Sequence, residues 1–398
     1  MFKNRCCHVT IIICALFFLL IPNSNADDGT QQIPRSLNPS LDHLLNLARP
    51  DTGGQPDINA IGQVVDFLLT PKDLSATYSA GQRDGATSNY FEFTLNRSLQ
   101  YVIALAYNPE IPSYFIIPAS LHQSRWITVD GKAQPFPDLS KASVSSSNPV
   151  FFKGVEFMEN TPDIYSGAYY AYQLDRAVVL TQYKGHRVLL SMSRQRDKSD
   201  VGKKGLVLGS DDEWNYLYTG EKGCTRTGLG WVDSYMYNSE SIMIYYEMSE
   251  PTPHVRCAVF KWVDAGWAGI NMAQPYHIKK GVQRFVRTFK QVAESTSLPK
   301  PSELAAVIRQ IDALPTQVLQ DKVRDHFNAL KERHQDDNRL NRKWFARLFE
   351  DDHYIQAMGR EELKAVVCKE YLKYLLGKSH GLDVAFFEKA KDRSKHPG

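Results

Sequence analysis

Cys224 lies in GEKGCTRTGLGW, residues 220–231, with Lys222 two positions before it and Arg226 two after. Nearby positive charge lowers a thiol pKa and raises its reactivity. A cysteine nucleophile also needs a histidine within reach, and His186, His254 and His277 are the candidates. No spacing in the chain requires that meeting. A disulfide from Cys224 to Cys257 accounts for the same residue with fewer assumptions. Of the six cysteines, three fall at positions 6, 7 and 14, leaving Cys224, Cys257 and Cys368. In an oxidising compartment one bridge and one leftover thiol is the economical arrangement, and Cys368 reads as the buried, inert one.

Asp211 is the acidic candidate. It stands in SDDEW, residues 210–214. Paired acids hold calcium or cleave glycosides, but a calcium loop needs acids at alternate positions with a central glycine. Consecutive acids between two strand-like runs read as a polar turn. The signatures HExxH, CxxC, GxSxG and GxxxxGK[ST] are missing, and GxG at 228–230 lacks the third glycine of a dinucleotide fingerprint. No cofactor and no metal site are expected from the sequence, and a non-catalytic role is favoured.

The stretch KWVDAGWAGINMAQPYHIKKGVQRF, residues 261–285, offers a binding site instead. Trp262 ends a strand, Gly266 and Gly269 bracket Trp267, and Pro275 fits the first turn of a helix. Trp267, Asn271 and His277 would then converge beside a helix N-terminus, which favours an anionic group. Each of these residues also has a structural job at a crowded sheet-to-helix corner. Upstream, a tyrosine-rich span places Tyr170, Tyr172, Tyr235 and Tyr246 on strands. Tyrosine suits half-buried strand faces in general. Its apolar body and polar tip also suit the wall of a ligand pocket. The candidate ligand-binding set is therefore Tyr170, Tyr172, Tyr235, Tyr246, Trp262, Trp267, Asn271 and His277.

Periodicity shows which helices and strands carry these residues. Residues 1–26 read as a cleaved export signal. Lys3 and Arg5 precede an apolar run over 9–21, and Ser24-Asn25-Ala26 supplies the small residues a signal peptidase reads. That run is shorter than the ~20 residues a membrane-spanning helix needs. No second apolar stretch of spanning length follows, and the mean hydropathy is -0.37. An exported protein, periplasmic or secreted, is expected.

Residues 27–88 form a lead-in with two short helices, LDHLLNLA and DINAIGQVVDFLL, the second capped by Asp57 and ended by Pro71. From about residue 89 the period becomes alternating. YFEFTL, QYVIALAY, SYFIIPA and RWITV read as strands, followed by a long loop over 130–149. VFFKGVEF, YSGAYYAYQL, AVVLTQY and RVLLSMS come next, with DR and KGH as hairpin connections. WNYLY, GWVDSYMY, SIMIYYEM and VRCAVFKWV complete about ten strands without a helical crossover, which argues against a doubly wound parallel sheet.

From His277 the period is helical. Ile278, Val282, Phe285, Val286, Phe289 and Val292 make one apolar stripe, and Lys279, Lys280, Arg284, Arg287 and Lys290 a basic face. Further helices fill residues 299–398. The fold class is α+β: a large antiparallel sheet or barrel over 89–298, closed by a long helix, then a helical C-terminal subdomain. In element order, strands followed by a long closing helix resemble the helix-grip arrangement of lipid-binding START-like domains.

The net charge is +3. Residues 27–275 carry about 21 Lys and Arg against about 27 Asp and Glu, and 276–398 about 24 against about 17, so the two parts attract. There is no dense basic patch with interleaved aromatics of the kind a nucleic-acid reader shows. The expectation is an exported module that binds an apolar or amphipathic ligand between the tyrosine-rich sheet and the Phe289 helix. The alternatives are an envelope enzyme using Cys224 or Asp211 with a histidine, and a scaffold docking a protein partner through its basic helices.

Overall fold

The computed structural model describes residues 30–226, 230–250, 252–350, 353–383 and 385–386, without the side chains at 224–226, 230, 231, 344 and 350. The expected export signal, residues 1–26, lies outside the described residues. The strands are β1 (Thr30–Gln32), β2 (Thr77–Ser79), β3 (Thr87–Leu95), β4 (Leu121–Val129), β5 (Val150–Asn160), β6 (Ala168–Tyr169), β7 (Ala171–Tyr183) and β8 (His186–Gln195). They continue with β9 (Lys203–Val207), β10 (Tyr216–Lys222), β11 (Cys224–Arg226), β12 (Gly230–Val232), β13 (Ser234–Met248), β14 (His254–Trp267) and β15 (Ile270–Asn271). Ten of them form one sheet in the order β1-β2-β3-β14-β13-β8-β7-β5-β4, with β15 on β14. Every pairing in it is antiparallel except β1 with β2. β1 and β4 are its two ends, so the sheet does not close into a barrel. β10-β9-β6 and β11-β12 make smaller sheets beside it.

Alternation gives the large sheet two apolar faces, and each is covered by helices. On the outer face, α1 (Asn38–Leu47) and α2 (Ile58–Leu69) lay Leu41, Leu44, Leu45, Val64, Val65 and Leu68 on Leu190, Ile242, Ile244, Phe260 and Trp262. Asp57 caps α2 by accepting from Asn59 N at 2.9 Å. On the inner face lies α5 (Pro275–Ala293), directly after β15, with Pro275 at its first position. Its residues Ile278, Val282, Val286, Phe289 and Val292 are buried, as the 3.6-residue stripe requires. The C-terminal helices α6 (Pro301–Asp312), α7 (Thr316–Arg333), α8 (Lys343–Glu350), α9 (His353–Ala357) and α10 (Arg360–Leu375) continue the same core as the inner face of the sheet. Gly377, with φ 65°, follows the end of α10.

Three local expectations are corrected. QYVIALAY is not a strand but α3 (Leu99–Ala106), and SYFIIPA begins with the short α4 (Ser113–Ile116). Leu99, Val102 and Ile103 are spaced for one helix face, and all three are fully buried. Ser98 caps the turn, accepting from Tyr101 N at 3.3 Å. Aromatic and β-branched content had suggested β, but the cap and the i, i+3, i+4 spacing decide the matter. The third correction is Asp175-Arg176, which is not a hairpin turn. β7 runs straight through it for thirteen residues. Two charges are tolerated in mid-strand because each finds a counter-charge: Arg176 Nε lies 2.7 Å from Glu156 on β5, and Asp175 lies 3.1 Å from Arg196. The KGH hairpin does form, with Lys184 and Gly185 both at positive φ between the paired residues Tyr183 and His186.

Candidate functional site

The inner face of the sheet and α5 do not meet everywhere. Between them lies a cavity of about 1810 Å³. Tyrosine, methionine and valine from β5, β7, β13 and β14 form one wall, Ile278, Val282 and Phe285 of α5 another. The long loop over 130–149 supplies part of a third. Its Phe136 stacks on Phe152 with ring centroids 5.8 Å apart and leans on Trp126 at 5.6 Å.

Cavity-lining residues that also remain exposed mark its mouth: Ile127, Ile164, Tyr165, Met272 and Tyr276. These are five of the seven large apolar side chains left exposed among the described residues. Isolated exposed apolar residues need no explanation, but five that line one cavity do. Lys280 of α5 stands in this rim, donating to Tyr165 OH at 3.1 Å.

The floor is polar. β8 and β13, adjacent at the centre of the sheet, turn Ser191, Ser193, Ser239 and Ser241 into the cavity. Ser193 and Ser241 hydrogen-bond each other at 2.8 Å. Arg176 on β7 donates from Nη1 to Ser191 Oγ at 3.1 Å, and Lys261 on β14 donates to Ser239 Oγ at 2.6 Å. Burial raises the pKa of Glu156, and Arg176 beside it pulls the other way. Burial, helped by the charge of Arg176, lowers Lys261 to about 8, with Glu240 opposing. Tyr172, raised by burial, shares hydrogen bonds with Ser239 and Asn160.

The candidate ligand residues divide. Tyr170, Tyr172, Trp267 and His277 line the cavity. Tyr170 OH bonds Ser234 Oγ at 3.0 Å. His277 Nδ1 accepts from Gln274 N at 3.2 Å, completing the cap of α5 while its ring faces the mouth. The other four are elsewhere. Trp262 is buried on the opposite face, donating to Gly81 O at 3.1 Å under Arg83. Tyr246 belongs to that outer core as well, beside His186. Tyr235 sits under Lys198 Nζ, 3.9 Å from its ring centroid, away from the cavity wall. Asn271 is a staple of the sheet-to-helix corner. Its Oδ1 accepts from Ala265 N and Ala273 N, and its Nδ2 donates to Gly85 O at 2.9 Å. Gly266 is needed there, because a Cβ would lie 2.0 Å from Ile270 O.

The residues of the enzymatic alternative are also dispersed. Asp211 is gripped by Arg284 of α5, at 2.8 Å from Nε and 2.5 Å from Nη2, and accepts from Tyr216 OH at 2.8 Å. The basic face of α5 is thus engaged, in part, with acids of the sheet region. His186 and His254 begin β8 and β14, at the end of the sheet away from the mouth. The side chain of Cys224 lies outside the described residues. Cys257 is a free thiol, fully buried under α5, and Cys368 is free and buried on α10. Burial pushes the Cys257 pKa well up and that of Cys368 to about 12. Iodoacetamide at pH 8 should therefore leave both unmodified in the native protein and modify both after denaturation, as peptide mass mapping would report. Native labelling of Cys257 would contradict this burial.

What sequence reasoning missed is the floor. A signal was present: S-M-S at 191–193 and S-E-S at 239–241 each place serine at alternate positions of a strand. Among the described residues no helix is long and apolar enough to cross a membrane, and no group of three or more His, Cys, Asp or Glu is arranged to hold a metal. The chain matches no protein-family model and no curated protein.

Proposed function

We propose that this is an exported, non-catalytic protein that binds an apolar or amphipathic ligand in the cavity between the sheet and α5. One observation carries the reading: a cavity of about 1810 Å³ that opens through a rim of exposed apolar side chains. Pockets for drug-sized ligands measure roughly 300–1,000 Å³, so this one suits a longer molecule. The cavity opens to solvent, so in the free protein water covers its apolar lining, and an apolar ligand gains by displacing that water. The rim supplies an entry with the same apolar character as the walls.

The test is saturable binding of the neutral dye Nile red, followed by fluorescence. Val263→Trp, which places an indole into the cavity from β14, should weaken dye affinity about tenfold or more, ~1.4 kcal/mol, with an unchanged circular dichroism spectrum. Absence of saturable binding, or binding indifferent to the tryptophan, would refute the reading.

A further inference from the structure

The geometry points to the cavity floor as an anion site, and to a long-chain carboxylate as the ligand, its head group held between Lys261 and Arg176. This rests on the cavity being a ligand site and names the class of ligand. Arg176, Ser193, Ser241 and Lys261 are register partners on four consecutive strands, β7, β8, β13 and β14. Strands are ~4.8 Å apart, so the two cationic residues start ~14 Å apart on one row. Only serines stand between them. The two long side chains lean inward over that gap, Arg176 onto Ser191 and Lys261 onto Ser239.

Charge balance then fixes the sign of what belongs there. Arg176 shares its charge with Glu156 at 2.7 Å. Among the described residues Lys261 has no carboxylate at salt-bridge distance, and its hydrogen-bond partner is a neutral hydroxyl. Glu240, which acts on it through the sheet, points to the other face and is held by Arg194 at 2.7 Å and Arg83 at 3.5 Å. The floor therefore carries one uncompensated positive charge beneath apolar walls. Lys261 is only partly exposed, and a charge so placed without a partner is unfavourable, whereas methionine would fill the same space without that penalty. A single negative charge on an apolar chain satisfies both halves of the cavity, and a carboxylate is the smallest head group that brings it.

The remaining charged groups of the wall are already engaged or stand at the mouth. From α5, Arg284 and Arg287 hold Asp211, and Lys280 sits against Tyr165, while Asp163 accepts from Ser166 in its own turn. From the C-terminal helices, Lys364 bridges Asp312 and Glu361. Arg309 pairs with Glu110. His277 caps α5, and Arg125 lies over the ring of Phe157.

The experiment is displacement of Nile red by oleate, below its aggregation concentration, and by methyl oleate, which has the same chain and no charge. At pH 7 oleate should compete at least about tenfold better. Above pH 8 that preference should decline by up to tenfold per unit, because unliganded Lys261 loses its proton near 8 and the bound carboxylate must then recruit one. Lys261→Met should abolish the preference while raising the melting temperature, and Lys261→Arg should keep it. Equal displacement by acid and ester overturns the inference and leaves the cavity reading intact. A preference that survives in folded Lys261→Met overturns it too. Displacement by dioleoylphosphatidylglycerol with no effect of oleate would replace the carboxylate by a phosphodiester. Failure of Nile red itself to bind removes the cavity reading, and the inference with it.

Discussion

Glu370→Ala should cost about 3–5 kcal/mol in folding stability, measured by chemical denaturation. Glu370, on α10, is 1 % exposed and joins three elements. One carboxylate oxygen lies 2.7 Å from Lys373 Nζ, and the other 3.1 Å from His326 Nδ1 of α7 and 2.6 Å from Gly381 N. Lys373 is equally buried and donates to Asn215 Oδ1 at 2.7 Å. Alanine would strand that ammonium in the core with one neutral partner.

The same helix shows the effect of an ill-matched amine. Lys369 is lowered to about 7 by burial, with Lys373 and Arg284 adding to the fall. For Glu370 burial works against the charged form, but His326 and Lys373 together outweigh it, and its pKa falls well below the ordinary carboxylate range. Its contribution is thus complete above the unfolded value of about 4.3 and is lost as pH falls through the folded value. The difference between wild type and Glu370→Ala should shrink in acid accordingly. The double variant Glu370→Leu with Lys373→Met should cost less than Glu370→Ala alone, since it removes the charge along with its partner. A loss below about 1 kcal/mol for the single variant would show that the pair is effectively solvated.

Phe289→Ala should cost about 3–5 kcal/mol, the range for truncating a buried phenylalanine. Phe289 anchors α5 to the inner face of the sheet and lines the cavity. Its ring centroid lies 5.7 Å from that of Phe285, 6.3 Å from Tyr245 and 6.5 Å from Phe93, and the residue is 2 % exposed. The new void would join one already present, so the surroundings have little left to collapse with. Phe285, a turn earlier, is half-buried and faces the cavity, and Phe285→Ala should cost clearly less. Comparable losses from the two would mean that α5 is seated uniformly on the sheet, without the separation that defines the cavity. Guanidinium denaturation of both variants decides this.

Legibility in the sequence differs from residue to residue. The stripe of α5 was legible because burial on one side of a helix repeats every 3.6 residues, and nothing distant is needed to see it. Asp57 as a cap, Pro275 at a helix start and the Lys184-Gly185 turn were legible for the same reason: each is a backbone requirement met by a neighbouring residue. The α3 segment was misread because its β-branched residues obscured a helical spacing with a proper cap. Arg176 was misread as part of a turn because its partner Glu156 is twenty residues away in sequence and on another strand.

The class of fold and the two-faced nature of each strand follow from the order of residues, since period-two alternation is a local property of the chain. That order also brought Tyr170, Tyr172, Trp267 and His277 into consideration as side chains that could face a ligand. That Trp262 and Tyr246 face the outer helices depends on how the whole chain packs. The same packing places Ser191 and Ser193 beside Ser239 and Ser241, forty-eight residues on, and sets Lys261 opposite Arg176 across them. Strand order is chosen by packing over the whole chain, and a cavity is the space that packing leaves. Neither is written in the spacing of any one segment.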